Sequence, residues 1–265
     1  MKIKIGIIGG TGLEDSKIIR DAKEVKIKTK FGYPSSNIIV GKIGETEVAL
    51  LSRHGKGHTL MPSKVPYQAN IMSLKELGCT HIIATTACGS LEEKIKQGDL
   101  VFIDQFIDRT TNRKQTFYEN NEVCHIPMAE PFCKNIRKTL SEEARKLNLK
   151  YHNDGTIITI EGPRFSSKSE SKLYKSWNAD LVNMTTIPEV VLARESGMHY
   201  AAIAISTDYD CWKANEKPVD ISIVLETFKK NIENIKKLIL KTIPKLENYE
   251  SCNCAKDISS AIIKI

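Results

Sequence analysis

Nowhere does the chain hold an apolar stretch approaching the roughly 20 residues that a membrane-spanning helix requires. The first residues, Met1-Lys-Ile-Lys-Ile-Gly-Ile-Ile-Gly-Gly10, have too short an apolar run for a secretory leader and end in a glycine-rich turn, so the expected address is the cytoplasm. No Pro/Gly/Ser-rich linker, internal repeat or low-complexity segment divides the 265 residues. The net charge of +7 is not gathered into a basic stripe or tail, as a nucleic-acid binder would have it. Pairs such as Lys229-Lys230 and Lys236-Lys237 alternate with apolar residues as on a solvated helix face. The modest positive bias would help steer a small anion toward a site. Gly9-Gly10-Thr11-Gly12 is not followed by Gly-Lys-Ser/Thr and lacks the Gly-x-Gly-x-x-Gly spacing, which excludes a Walker A loop and makes a poor dinucleotide fingerprint. Seven cysteines, an odd number, follow no repeated spacing. Cys252-Asn253-Cys254 stands apart in a polar segment, with no second Cys/His pair at zinc-ligand spacing beside it in the sequence. A local disulfide and two free thiols are both open there.

What the chain does have is a succession of apolar strand-like runs, each followed by a turn or a helical pattern. The runs are Ile3 to Ile8, Val48 to Leu51, His81 to Thr85, Leu100 to Ile107, Thr156 to Ile160, Ala179 to Met184 and Tyr200 to Ile205. Helical spacing covers Pro62 to Gly78, about Glu130 to Leu147, and Pro188 to Ser196. A last long helix carries Ile221, Val224, Leu225, Phe228, Ile232, Ile235 and Ile239 on one face. Mixed strands and helices without a linker predict one α/β domain with a twisted mixed central sheet flanked by helices. The main body is expected over residues 1–248 and a tail with Cys-x-Cys over 249–265.

Polar residues fall just past the predicted strand ends: Thr11, Arg53-His54, Thr86, Glu161 to Arg164, Met184-Thr185, and Asp208 with Asp210. Open α/β sheets bind ligands in the crevice beyond those ends. Glycine turns suit a small anion such as phosphate, the planar fork of Arg53 matches its oxygens, and threonine hydroxyls add neutral donors. The alternative for Arg53 is a surface ion pair. Asp208 and Asp210 lack a third acidic ligand nearby, which argues against a divalent metal. A carboxylate there can accept from an exocyclic amine, or protonate a ring nitrogen if its pKa is raised.

In order along the chain stand Ile5-Gly-Ile-Ile-Gly-Gly-Thr-Gly-Leu13, Arg53-His54-Gly55, Met61-Pro-Ser-Lys-Val65, Gly78-Cys-Thr-His81 and Thr85-Thr-Ala-Cys-Gly-Ser90. There follow Asp104-Gln-Phe-Ile-Asp-Arg-Thr-Thr111, His125-Ile-Pro-Met-Ala-Glu-Pro-Phe132, Ile160-Glu-Gly-Pro-Arg-Phe-Ser166, Asn183-Met-Thr-Thr-Ile-Pro-Glu-Val190 and Thr207-Asp-Tyr-Asp-Cys-Trp212. Over about residues 3–245 this series resembles the 5′-methylthioadenosine phosphorylases, a branch of the purine nucleoside phosphorylase superfamily. The resemblance implies phosphorolysis of S-methyl-5′-thioadenosine in methionine and purine salvage, through a transition state with oxocarbenium character. A broader purine nucleoside phosphorylase acting on adenosine, inosine or guanosine is the alternative.

By matching position, the resemblance implies that Thr11, Arg53, His54, Thr86, Ala87 and Thr185 hold phosphate. Met184 would lie beneath the ribose, with Phe165 and Ser166 flanking the purine. Asp208 would act on N7 and Asp210 on the 6-amino group. The related 6-oxopurine enzymes carry Asn at the place of Asp208. Ile221, Val224 and Leu225, with His125 and His58 near them, would surround the methylthio group, though core packing is an equal reading for Val224 and Leu225. No cofactor is implied; inorganic phosphate is a co-substrate, and the family's assemblies are homotrimers or dimers of trimers. The Tyr118 to Cys124 loop is shorter than in some members of that family, and the tail, with Cys252-Asn-Cys254 and then Ile258 to Ile265, differs from that of animal members. A Cys-x-Cys tail is similar to that of heat-stable archaeal members, where it can form a disulfide.

Overall fold

The computed structural model describes residues 3–9, 13, 18–119, 121–213, 220–247 and 252–264. Strand β1 (Lys4–Gly9) is buried along nearly its whole length. It is followed by β2 (Arg20–Val25), β3 (Ile38–Ile43), β4 (Thr46–Ser52), α1 (Tyr67–Glu76), β5 (His81–Ser90), β6 (Leu100–Phe102), β7 (Gln105–Arg109) and β8 (Glu122–Cys124). The second half runs α2 (Lys134–Lys146), β9 (Tyr151–His152), β10 (Thr156–Ile160), α3 (Lys168–Ser176), β11 (Leu181–Asn183), α4 (Thr186–Glu195), β12 (His199–Asp208), α5 (Ile221–Thr242), α6 (Ile258–Ala261) and β13 (Ile262–Lys264).

The central sheet is mixed. Along one path the order is β2-β3-β4-β1-β5-β11-β10-β7, while β12 pairs β5 on another side and continues to β6 and β9. β1 runs parallel to β4 and β5, and β5 parallel to β12. Successive side chains leave a strand on opposite faces, and both faces are covered. Ile8, Ile82, Ala84, Ala202 and Ala204 pack with residues of α1 and α4. Ile7, Ile83, Ala201, Ile203 and Ile205 pack with Ile136 and Leu140 of α2 and Ile235, Leu238 and Ile239 of α5. Two buried faces explain why these strands read as continuous apolar runs rather than alternating ones. The single mixed α/β domain expected from the sequence is the one observed.

Three differences from the sequence reading have physical causes. The edge strand β2, Arg-Asp-Ala-Lys-Glu-Val, carries no apolar run because its side chains are almost all exposed; charged residues on an edge also discourage unwanted strand pairing. The run Leu100 to Ile107 is two strands, not one. β6 pairs antiparallel with β12 and β7 pairs parallel with β10, so the chain changes partner at Ile103-Asp104. Helix α3 has little apolar patterning but carries a full capping box, the Ser167 hydroxyl accepting from the Glu170 N–H and the Glu170 carboxylate from the Ser167 N–H.

A fourth difference matters most for the site. β5 does not end at Thr85 but continues to Ser90. It pairs with β1 only as far as Ala84 and with β11 only from Gly89, while β12 accompanies it throughout. Among the described residues, no strand pairs with β5 from Thr85 to Cys88 on the side between β1 and β11. The sheet splits there, and the split opens toward the ends of β1, β4 and β12.

The tail folds back onto the body. β13 pairs antiparallel with β8, with Ile262 opposite Cys124, and Arg194 of α4 makes an ion pair with Asp257. The strand before Ile126 and the tail are thus partners in space.

Candidate active site

A cavity of about 510 Å³ fills the split in the sheet. β4 delivers Arg53 and His54 at its carboxyl end. The turn that follows puts Gly55 at φ +75°, where a Cβ would also meet the Thr59 hydroxyl at 2.8 Å. β5 supplies Thr85 to Gly89, β11 supplies Asn183 and leads into Met184 and Thr185, and β12 supplies Thr207 and Asp208. Phe165 and Ser166 come from the segment after β10, and Val224, Leu225 and Phe228 from α5.

One end of this cavity is a network of hydroxyls around Asn183. The Asn183 carboxamide accepts from Thr159 Oγ1 at 2.8 Å. It donates to Thr86 Oγ1 at 2.9 Å and to Thr186 Oγ1 at 2.7 Å. Thr86 and Thr185 Oγ1 lie 3.2 Å apart. Because Asn183 fills an acceptor position on Thr86, that hydroxyl is oriented to donate.

Beside it the Arg53 guanidinium is buried and held at 2.8 Å by both Glu189 oxygens, with a third bond of 2.7 Å to the Thr85 carbonyl. Glu189 also accepts from the Tyr200 hydroxyl at 2.7 Å. Burial opposes the charge on Arg53, but the Glu189 carboxylate more than offsets it and the pKa rises. The surface ion pair weighed for Arg53 is therefore replaced by a buried one.

His54 is driven the other way, down to about 4, first by burial and then by the charge of Arg53. Its Nδ1 lies 2.8 Å from the Leu60 carbonyl, which can only accept. The neutral ring thus donates from Nδ1 and keeps Nε2 as an acceptor. The His58 ring stacks on it at 4.3 Å between centroids.

The other polar end is the acid pair. A register shift in β12 places Ser206 opposite Cys88 and Asp208 opposite Gly89, so Thr207 is the extra residue of a bulge. Bulges re-aim side chains in this way. Asp208 then accepts from the Thr207 hydroxyl at 2.7 Å and the Asp210 N–H at 2.8 Å. Asp210 sits in the left-handed region at φ +48°. Gly89 is what lets both acids approach β5, since a Cβ there would lie 3.0 Å from Asp208 Oδ1 and 3.1 Å from Asp210 Cβ. Both acids have raised pKa values, because burial penalises their charge more than the surrounding donors relieve it. Along β5, Gly89 is three residues from Thr86, or about 10 Å at roughly 3.3 Å per residue. The acids and the hydroxyl end are therefore about one nucleoside apart, with Met184, Phe165, Val224 and Leu225 supplying apolar wall between them.

The structure thus brings Arg53, His54, His58, Thr86, Ala87, Phe165, Ser166, Met184, Thr185, Asp208, Asp210, Val224 and Leu225 to one cavity. The core-packing alternative for Val224 and Leu225 gives way to a wall position, both being only half buried. His125 is not among the lining residues; it is exposed, and its N–H donates to the Ala261 carbonyl. Thr11 and the side chain of Ile221 lie outside the described residues.

Sequence reasoning gave no role to three groups that hold the site together. Asn183 and Glu189 lay inside a quoted motif, and an acid in the apolar run Thr186–Glu195 was the available signal. Arg113 gave none. Its nearly buried guanidinium donates to the carbonyls of Met184, Ile187 and Glu161 at 2.7, 2.6 and 2.7 Å and to the Glu161 carboxylate. It thereby ties the segment after β10 to the one after β11.

The family profile described as "Phosphorylase superfamily" matches residues 4–244. The chain belongs to this superfamily. Among curated relatives, this phosphorylase chain is 54% identical to an S-methyl-5′-thioadenosine phosphorylase of Danio rerio, with 99% of this chain and 97% of the relative aligned. It is 53% identical to one of Anopheles gambiae, over 98% and 95%. Among solved structures, methylthioadenosine phosphorylase from Schistosoma mansoni in complex with adenine superposes with a TM-score of 0.93 at 40% identity, over 98% of this chain and 97% of that one. A point mutant of the Schistosoma mansoni adenosine/methylthioadenosine phosphorylase in complex with methylthioadenosine matches with the same TM-score, over 98% of each chain.

Two outcomes follow from the buried charges. Glu189→Gln leaves the Arg53 charge without its carboxylate and is expected to cost about 3–5 kcal/mol in urea unfolding; a loss under about 1 kcal/mol would mean that other groups neutralise Arg53. For Asp208, whose pKa is raised on folding, the native state binds the proton more tightly than the unfolded chain. Its stabilising contribution is complete below about pH 3.9 and is lost as pH rises through the folded value. Asp208→Asn, fixed in the neutral form, should therefore melt with wild type in acid and above it at neutral pH. A variant melting below wild type at pH 7 would show that the ionised carboxylate is the favoured native form.

Proposed function

We propose that this chain cleaves S-methyl-5′-thioadenosine by phosphorolysis to adenine and 5-methylthioribose 1-phosphate. The observation that carries this reading is the spacing in one cavity of an acid pair with raised pKa values and a cluster of hydroxyl and guanidinium donors suited to phosphate. The activity agrees with the names of its relatives over nearly the full length of both chains.

In this scheme Thr86, Thr185, the outward N–H groups of Arg53 and the Ala87 backbone hold inorganic phosphate, and the neutral His54 Nε2 accepts from a protonated phosphate oxygen. Thr11, in the glycine-rich turn, completes this set. Phosphate oxygen attacks the anomeric carbon as the bond to the purine lengthens. Positive charge develops on the sugar, and the phosphate anion beside it stabilises that charge. The leaving base gathers electrons at its imidazole ring; Asp208, with its raised pKa, gives N7 a proton or hydrogen bond. Asp210 accepts from the 6-amino group. A 6-oxo group would place a carbonyl against these acids, and a site built around hydrogen bonds rejects such a partner by roughly 10⁴-fold. Apolar Val224, Leu225 and Phe228 favour methylthio over hydroxymethyl by the modest worth of a buried methyl, about 0.8 kcal/mol per CH₂ equivalent, so adenosine is a secondary substrate. Phosphate is the co-substrate, and no cofactor takes part in the chemistry.

The test is adenine release from S-methyl-5′-thioadenosine with and without phosphate, beside adenosine and inosine. Phosphate-dependent release with inosine inert is expected. Equal turnover of inosine would move the chain to the broader purine nucleoside phosphorylases, and release without phosphate would make it a hydrolase.

We also propose that it assembles as a homotrimer or dimer of trimers in the cytoplasm, with the exposed His125 reaching the cavity of a neighbouring copy. Its position away from its own cavity, and the exposure of Met61 and Phe165 among the lining residues (48% and 38%), support this. Light scattering should give the mass of three or six chains, and His125→Ala should raise KM for the methylthio nucleoside. A fully active monomer would overturn it.

A further inference from the structure

Away from the cavity, four side chains from three distant parts of the chain converge beside the tail. Cys133 stands immediately before α2, His199 opens β12, and Cys252 and Cys254 come from the tail. One ligand atom of each lies within 4.8 Å of every other. None of the four lines the nucleoside cavity. Cys133, His199 and Cys254 are buried and Cys252 is half-buried.

Two of the separations match the edges of a tetrahedral metal shell. Zn–S bonds of about 2.3 Å and Zn–N bonds of about 2.0–2.1 Å imply edges of about 3.8 Å between sulfurs and about 3.5 Å between sulfur and nitrogen. Cys133 Sγ lies 3.8 Å from Cys252 Sγ and 3.4 Å from His199 Nδ1. The Cys252 and Cys254 sulfurs are 3.1 Å apart, beyond a disulfide bond of about 2.05 Å and short of a full edge. The His199 ring is held in its plane by stacking on His81 at 4.4 Å between centroids. A hollow of about 360 Å³, lined by Cys133, Cys252, Cys254 and the Arg194–Asp257 pair, gives an ion a route in.

Three thiols packed against an imidazole gain little from one another, because S–H is a weak donor and sulfur a weak acceptor. One soft divalent cation satisfies all four at once. The sequence shows no second Cys/His pair at zinc-ligand spacing beside Cys252-Asn253-Cys254; the pair Cys133 and His199 arrives only through the fold.

We propose that Cys133, His199, Cys252 and Cys254 form a closed Cys₃His zinc site that clamps the tail to the start of α2 and of β12. With four protein ligands it leaves no open position for substrate, so its role is structural. The clamp binds the folded chain and not the unfolded one, and stabilises it accordingly.

The test is metal analysis of the full chain purified in reductant without chelator. Expected is about one zinc per chain that survives dialysis against EDTA and is released by a mercurial together with three thiols. Replacement by cobalt(II) should give the intense visible bands of tetrahedral thiolate coordination. Cys252→Ser, at the half-exposed corner of the site, should lose the zinc and lower the melting temperature, while Cys79→Ser, elsewhere in the core, should keep the metal. If Cys133→Ser does not fold, the Cys252 variant decides alone. A folded protein without zinc, whose seven thiols all titrate on denaturation without reductant, would overturn the proposal, as would a native mass two hydrogens light, which marks a disulfide in place of the metal.

Discussion

β5 must satisfy its backbone groups with three different strands, and the site is a consequence of how it does so. β1 covers it only to Ala84 and β11 only from Gly89. A buried backbone group left unpaired would cost free energy, and side chains serve it over those residues: Arg53 donates to the Thr85 carbonyl and the Thr207 hydroxyl to the Cys88 carbonyl. The hydroxyl network of Thr86, Asn183 and Thr185 lines the gap from the protein side. The carboxyl ends of β1, β4 and β12 point into the same opening because these strands run parallel to β5. This is the general logic by which open α/β sheets place ligands where strand pairing diverges.

Around that opening the chain accepts unfavourable electrostatics. Arg53 is kept charged under burial by Glu189, His54 is kept neutral next to it, and Asp208 and Asp210 are pushed toward protonation by burial. Perturbed ionisable groups gathered around one cavity mark it as a candidate site for acid–base and anion chemistry. Arg113 ties together the carbonyls of the two segments that carry Met184 and Phe165, and the core on both faces of the sheet is built of fully buried isoleucine, leucine and alanine.

Much of this was legible beforehand. The strand Thr156–Ile160 is where its apolar run put it, and the helix expected from about Glu130 to Leu147 is observed as Lys134–Lys146. Arg53, His54, Thr86, Met184, Asp208 and Asp210 share one cavity as their positions near strand ends implied. The edge strand Arg20–Val25 was invisible because an exposed strand needs no apolar pattern, and β6 and β7 ran together because a change of partner leaves no mark in hydrophobicity. Thr86 proved to lie within β5 rather than past its end. Arg113 could not be singled out, since a buried arginine bonded to carbonyls and a solvated one are the same letter.

By itself the sequence determined the fold class, the faces of the long helices and the residue types available for chemistry, because these depend on local periodicity and on the order of motifs. Only the tertiary structure decided which of those residues meet. It set Glu189 against Arg53 across 136 positions of chain and a bulge-aimed Asp208 against Gly89. It also brought Cys133 and His199 to the tail thiols and kept His125 away from its own cavity. Such contacts rest on strand partner and register, which backbone hydrogen bonding between remote segments fixes and which composition along a single stretch does not record.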